Sequence, residues 1–250
     1  EKVVLDCVRN ISKNKINLVL AGGVFANVKL NQKINELKNI KNIFVYPNMG
    51  DGGLCVGSAM LCYNEITKKT PKASKSYYLG PDFDNKNILN EIRKFKLKYS
   101  KPNNIEKTIA KKISENKVVA HFNGKMEFGP RALGNRSIIC SAKNSNINNE
   151  LNKRLGRTEF MPFAPIILKS YANKYFNISK NLDDYKYMTL TCLCKKIMIK
   201  NSPAAVHIDK TARPQIIDKK INLRLFKILN EYKKITNIPV LINTSFNMHE

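Results

Sequence analysis

The sequence predicts an α/β unit followed by an α+β unit built on a mixed, twisted sheet. Three observations predict it. In the first seventy residues a strand-like run passes through a glycine turn into a helix-like run, and it does so twice. Residues 67–82 then lose all periodicity and hold two prolines, which marks a domain boundary. Beyond that boundary strand-like runs outnumber helical ones and do not alternate with them regularly.

Taken in order, residues 2–12 set Val3, Val4, Cys7, Val8 and Ile11 on one helical face. Asn17–Ala21 is a short apolar strand ending in Gly22-Gly23, and a helix is expected over 24–37. Ile43–Tyr46 is the next strand, stopped by Pro47. After Gly50-Asp51-Gly52-Gly53 comes an apolar helix carrying Leu54, Gly57, Ala59, Met60 and Leu61. Residues 85–96 and 104–115 read as helices. Strands follow near 117–122, 136–141, 164–169, 187–193, 203–208 and 238–243, with helices at 146–154 and 221–234, the last ending before Pro239.

A chain of 250 residues can bury one large core or two moderate ones. Its formal net charge of +25 is of the kind that suits nucleic acid or an anionic membrane. The lysines are spread evenly, however, with no dense block or aromatic ladder, and the excess of Lys, Asn and Ile matches AT-rich coding. Nucleic acid is therefore not the expected partner, although the charge speeds encounter with anionic small molecules. Cys7, Cys55, Cys62 and Cys140 stand in apolar surroundings, which fits reduced core thiols and a cytoplasmic location. Cys192 and Cys194 share one face of an expected strand, and no second Cys/His pair completes a zinc site. No apolar run has the length of a membrane span, and no targeting segment is visible.

Gly124–Ile138 is the densest stretch chemically. Between two expected strands it holds three glycines, Pro130, Arg131, Arg136 and one carboxylate, Glu127. Glycines let amides turn toward an anion, and guanidinium forks match phosphate or carboxylate oxygens two at a time. The same composition also makes an ordinary turn with solvated arginines.

The string Gly-Lys-Met-Glu-Phe-Gly-Pro-Arg-Ala-Leu-Gly-Asn-Arg-Ser-Ile resembles the central motif of the O-carbamoyltransferase family, of the nodulation and antibiotic-tailoring type. The resemblance extends to Arg157–Pro165, His207–Gln215, Pro239–Asn247, Ala21–Val28 and Gly50–Gly53, in family order. It implies that residues 1–70 are the C-terminal lobe of an actin/Hsp70-like ATPase fold, and residues 75–250 a YrdC-like domain. It also implies further chain on both sides. The implied activity is ATP-dependent, with Mg2+: carbamoyl phosphate and ATP give carbamoyl adenylate, and the carbamoyl group passes to an acceptor hydroxyl of a sugar or specialised metabolite. A homodimer is compatible with this reading. The rival is a YrdC-like module that binds nucleotide or tRNA, and a further one is a scaffold without turnover.

Through the resemblance, Arg131, Arg136 and Arg213 become the candidate phosphate clamps, with Lys153 and Arg157 beside them unless these two merely line a solvated helix face. Gly22 and Gly23 would offer amides at a helix start to an anionic donor, or make a tight turn. Ser137, Asn243, Thr244, Ser245 and Asn247 would hydrogen-bond ribose, adenine or phosphate, or form turns. Asp51 would ligate iron or another divalent metal together with histidines from outside this chain, or else cap the next helix. His121 and His207 fall in expected strands, and Asp209 would share a face with His207.

Overall fold

Strand, turn and helix follow one another from the start of the chain in the expected order. The structure is a computed structural model and describes residues 1–72, 74, 76–156 and 163–246. α1 (Lys2–Ile11) leads to β1 (Ile16–Leu20), and a 3-10 turn at Gly23–Ala26 leads to α2 (Val28–Asn35). The helix expected over 24–37 is split at Asn27, whose side chain accepts from the Lys29 and Leu30 amides and so starts α2 afresh. β2 (Ile40–Val45) lies parallel to β1, and a 3-10 turn at Asp51–Gly53 opens α3 (Leu54–Thr67).

α3 buries none of its residues. Its Leu54, Leu61, Tyr63 and Ile66 are exposed, as are Val3 and Ile11 of α1 and Val19 of β1. Cys7, Cys55 and Cys62 are exposed on these same elements, contrary to their expected place in the core, whereas Cys140, Cys192 and Cys194 are buried.

α4 (Asn85–Lys94) and α5 (Ile105–Ser114) start on the side chains of Asp84 and Asn104. β3 (Val119–Phe122), β4 (Arg136–Ser141), α6 (Asn146–Arg154), β5 (Ala164–Leu168), α7 (Ala172–Tyr175) and β6 (Phe176–Asn177) follow. β7 (Cys192–Cys194), α8 (Lys196–Asn201), β8 (Thr211–Ala212), β9 (Gln215–Ile217), α9 (Leu223–Thr236) and β10 (Val240–Ser245) complete the series. A five-stranded sheet has the order β3-β4-β10-β5-β9. The last strand, β10, inserts at its centre, antiparallel to β4 and β5, while β9 joins parallel to β5. α5 and α9 pack on each other and on this sheet. A smaller antiparallel sheet has the order β6-β7-β8.

Two expected strands are corrected. The one at 187–193 shrinks to Cys192–Cys194, and 203–208 holds a 3-10 turn at Pro203–Ala205. Pro203 has no amide for a ladder, and the strand forms at Thr211–Ala212 instead. His207 therefore sits outside any strand.

The two halves share one core, in which Val8, Leu30 and Ile43 belong to the same cluster as Ile139, Leu229 and Val240. Polar contacts cross between them as well. Asn31 Nδ2 donates to Thr189 O (2.9 Å), Thr191 Oγ1 to Gln32 Oε1 (2.7 Å), and Lys29 pairs with Asp209 (2.6 Å). Lys180 Nζ caps the end of α2 through the carbonyls of Asn35, Leu37 and Ile40.

Candidate functional site

The loop joining β3 to β4 is held in place atom by atom. Glu127 is 7% exposed, and its Oε1 accepts from the backbone amides of Leu133 (2.8 Å), Asn135 (2.6 Å) and Arg136 (3.1 Å). The Leu133 carbonyl accepts from Tyr78 Oη (2.9 Å) and Gln215 Nε2 (2.7 Å), and the Ala132 carbonyl from Asn243 Nδ2 (2.9 Å). Ser137 Oγ accepts from the Gly134 amide (2.9 Å), and His121 Nδ1 donates to the Gly134 carbonyl (2.5 Å). Burial lowers the His121 pKa, while the bond to that carbonyl works in the other direction. Asn222 bridges Tyr78 and Asn135 while its Oδ1 caps α9.

This loop also closes on the first half of the chain. Gly129 has φ +120°, and a Cβ there would stand 2.9 Å from the Pro47 carbonyl. Only glycine allows that approach. Two residues later Arg131 extends its Nη2 to the Ala26 carbonyl (3.4 Å), and its Nε is sealed from solvent without a partner among the described residues.

Arg131 and Arg213 form the electrostatic centre of this junction. Burial lowers the Arg131 pKa; burial first, then the charge of Arg131, brings Arg213 down to about 9. Both remain cations at neutral pH, and they repel one another. Among the described residues neither forms an ion pair with a carboxylate. The acids close to them in sequence are committed elsewhere: Glu127 to backbone amides, Asp209 to Lys29 and Thr211. Although burial pushes the Asp209 pKa up, the hydrogen bonds from Lys29 and Thr211 bring it down to about 2. His207 turns its Nδ1 to Thr211 Oγ1 (3.1 Å), so Thr211 rather than Asp209 orients it; burial and then Arg213 lower its pKa. Two neighbouring cations without a carboxylate partner among the described residues suit a multiply charged anion.

Arg136 is placed differently. Its guanidinium donates to the carbonyls of Asn123 (3.1 Å), Asn135 (3.0 Å) and Pro81 (3.1 Å) and lies 3.6 Å from the centre of the Phe122 ring. Asn243 lies in β10 with both amide protons used, one on Ala132 and one on Gln215 Oε1 (2.9 Å). Ser245 shares its side of the strand and Thr244 faces the other way, opposite Ile138. The Gly22 amide donates to the Met49 carbonyl (2.5 Å), joining the two glycine turns of the first half, while Gly23 opens the 3-10 turn that ends at Ala26. Lys153 is exposed on the last turn of α6, and nothing links it to the loop among the described residues. Arg157 and Asn247 lie outside the described residues.

Asp51 is exposed at the start of its 3-10 turn and offers one carboxylate. Among the described residues no three His, Cys, Asp or Glu side chains gather as a metal site, so the residues present do not hold a metal by themselves. Among the same residues no helix is long and apolar enough to cross a membrane.

Sequence reasoning did not foresee the roles of Glu127, Tyr78, Gln215 and Asn222. Glu127 is visible in the sequence as the one acid of the stretch Gly124–Ile138, but its acceptor role depends on a loop conformation that no spacing encodes.

Comparison with known proteins places the chain in a family. The model of the carbamoyltransferase C-terminus matches residues 110–250 and that of the carbamoyltransferase N-terminus residues 1–60. The chain belongs to the carbamoyltransferase family, a family of transferase enzymes. An uncharacterized protein of Methanocaldococcus jannaschii, MJ1051, is 37% identical over all of this chain and 48% of its own length. Nodulation protein NolO of Bradyrhizobium diazoefficiens is 30% identical over 99% of this chain and 46% of its own length. Nodulation protein U of Sinorhizobium fredii is 33% identical over 93% of this chain and 40% of its own length. The chain thus spans less than half the length of these relatives. HypF of T. kodakarensis overlays on 61% of this chain and 18% of its own at 18% identity, with a TM-score of 0.41, a likeness too slight to inform function.

Proposed function

We propose that the Arg131–Arg213 junction binds the phosphate groups of carbamoyl phosphate and ATP, as part of an ATP-dependent carbamoyltransferase. The observation that carries this reading is the pair of neighbouring, half-buried arginines without a carboxylate partner among the described residues. The family's activity and the motif around Arg131 supply the substrate class. Carbamoyl phosphate, ATP and one water balance as carbamoyl adenylate, phosphate and pyrophosphate. Each anion in that balance needs cationic neutralisation, and fixed arginines provide it without reorganising. Arg136 supports the loop, and Ser137 and Asn243 fix its backbone. The second half corresponds in this reading to a YrdC-like domain and residues 1–70 to a lobe of an actin-like fold. Transfer to a sugar or metabolite hydroxyl is assigned to the whole protein.

Titration calorimetry with carbamoyl phosphate and with ATP tests the proposal. Arg131→Ala or Arg213→Ala should weaken binding about tenfold to a hundredfold, the scale of a lost charge-assisted hydrogen bond. Each variant should keep or gain thermal stability without ligand, since a repulsion between like charges is removed. Unchanged affinity in both variants would refute the assignment. Strong tRNA binding that falls steeply with salt, without carbamoyl phosphate binding, would favour the RNA module instead.

A further inference from the structure

Asn243 carries an acceptor that nothing among the described residues fills. The orientation of its amide follows from its neighbours. The Leu133 carbonyl can only accept, so Gln215 turns Nε2 toward it (2.7 Å) and presents Oε1 to Asn243. Asn243 must then donate from Nδ2, and its second Nδ2 proton goes to the Ala132 carbonyl (2.9 Å). Both protons are committed, and Oδ1 is left bare in a residue only 2% exposed. A buried carbonyl oxygen without a donor is costly, and native proteins rarely keep one without a use.

The anchors of this amide identify what it is for. Ala132 follows Arg131, and Gln215 lies two residues beyond Arg213. The amide that carries the bare oxygen is thus tied through its Nδ2 to both arginine-bearing segments. We propose that Asn243 Oδ1 accepts a hydrogen bond from the –NH2 of the carbamoyl group, so that Asn243 selects carbamoyl phosphate over other acyl phosphates. The proposal rests on the reading of the arginine pair as the phosphate site. Carbamoyl phosphate joins a phosphate to an amine through one carbonyl carbon, a ligand compact enough to engage guanidinium forks and a neighbouring acceptor together. Acetyl phosphate has the same shape with a methyl in place of the amine, and would leave Oδ1 bare. The exocyclic amine of adenine is also a donor, but a ribose separates it from the phosphates.

The test compares ligands on the full chain by calorimetry: carbamoyl phosphate, acetyl phosphate, inorganic phosphate, ATP and inosine triphosphate. Carbamoyl phosphate should bind about tenfold or more tightly than acetyl phosphate. In Asn243→Ala that ratio should fall toward one, whatever the absolute affinities. The comparison in the native protein does not depend on how well the variant folds. Equal affinity for the two acyl phosphates overturns the inference, while phosphate binding that needs Arg131 leaves the arginine reading standing. A ratio preserved in Asn243→Ala overturns it too. So does an Asn243-dependent preference for ATP over inosine triphosphate with the acyl phosphates level, which assigns the oxygen to a purine amine. Absence of binding by every phosphate ligand sinks both readings.

Discussion

Glu127 is the one acid in the loop between β3 and β4, and it reaches neither Arg131 nor Arg213. Its oxygen gathers three backbone amides instead. Were it paired with Arg131, the arginine would be neutralised before any ligand arrived. By binding amides, the carboxylate shapes the loop and leaves the positive charge exposed to an incoming anion. Arg136 complements it from outside, tying Asn123, Asn135 and Pro81 together through their carbonyls. Glu127→Ala should cost about 2 kcal/mol or more in urea unfolding, because buried amides lose a charged acceptor. It should also weaken phosphate binding, since Arg131 rides on that loop. Glu127→Gln keeps one carbonyl oxygen in place and should recover much of the stability. Native stability in the alanine variant would mean that the amides find other acceptors.

Elements meet at the glycine turns. Gly129 brings the β3–β4 loop against Pro47, the Gly22 amide reaches Met49, and Arg131 reaches Ala26, so three turns from distant parts of the chain lean on one another. Gly129→Ala requires both a left-handed φ and a carbonyl displaced from a 2.9 Å approach, and should cost about 1–3 kcal/mol. Chemical denaturation measures the loss, and phosphate affinity should fall in parallel because Arg131 is two residues away. A fully stable variant with native affinity would show that the two turns need not touch. Local signals make most of these elements legible. α4, α5 and α9 start on Asp84, Asn104 and Asn222 caps, and the strands flanking Gly124–Asn135 are built around the apolar residues Val119, Ala120 and Phe122 and Ile138, Ile139 and Cys140. The segment 176–217 is poorly legible in the sequence because its strands are two or three residues long and are defined by distant partners rather than by their own pattern. The site divides in the same way. Arg131 and Arg213 were recognisable by residue type, whereas the carbonyls that engage Arg136 and the amide order from Leu133 through Gln215 to Asn243 exist only once the chain is folded.

At the scale of the whole molecule, one core joins the residues before and after the expected boundary at 67–82. The same view brings out α3, whose Leu54, Leu61, Tyr63 and Ile66 are all exposed on a chain of formal net charge +25. These two properties act over different ranges. Repulsion between like-charged copies reaches about 10 Å at 0.1 M salt and only about 3 Å at 1 M, whereas contact between apolar faces is short-ranged. Salt should therefore act on this chain as a colloid chemist would expect of a charged particle with sticky spots. It removes the barrier and leaves the adhesion. Light scattering should record a rising mean mass between about 0.05 M and 0.5 M sodium chloride as screening sets in. Leu61→Lys together with Ile66→Lys should hold the mass constant over that range. Association that instead weakens with salt would trace self-contact to ion pairs and acquit α3.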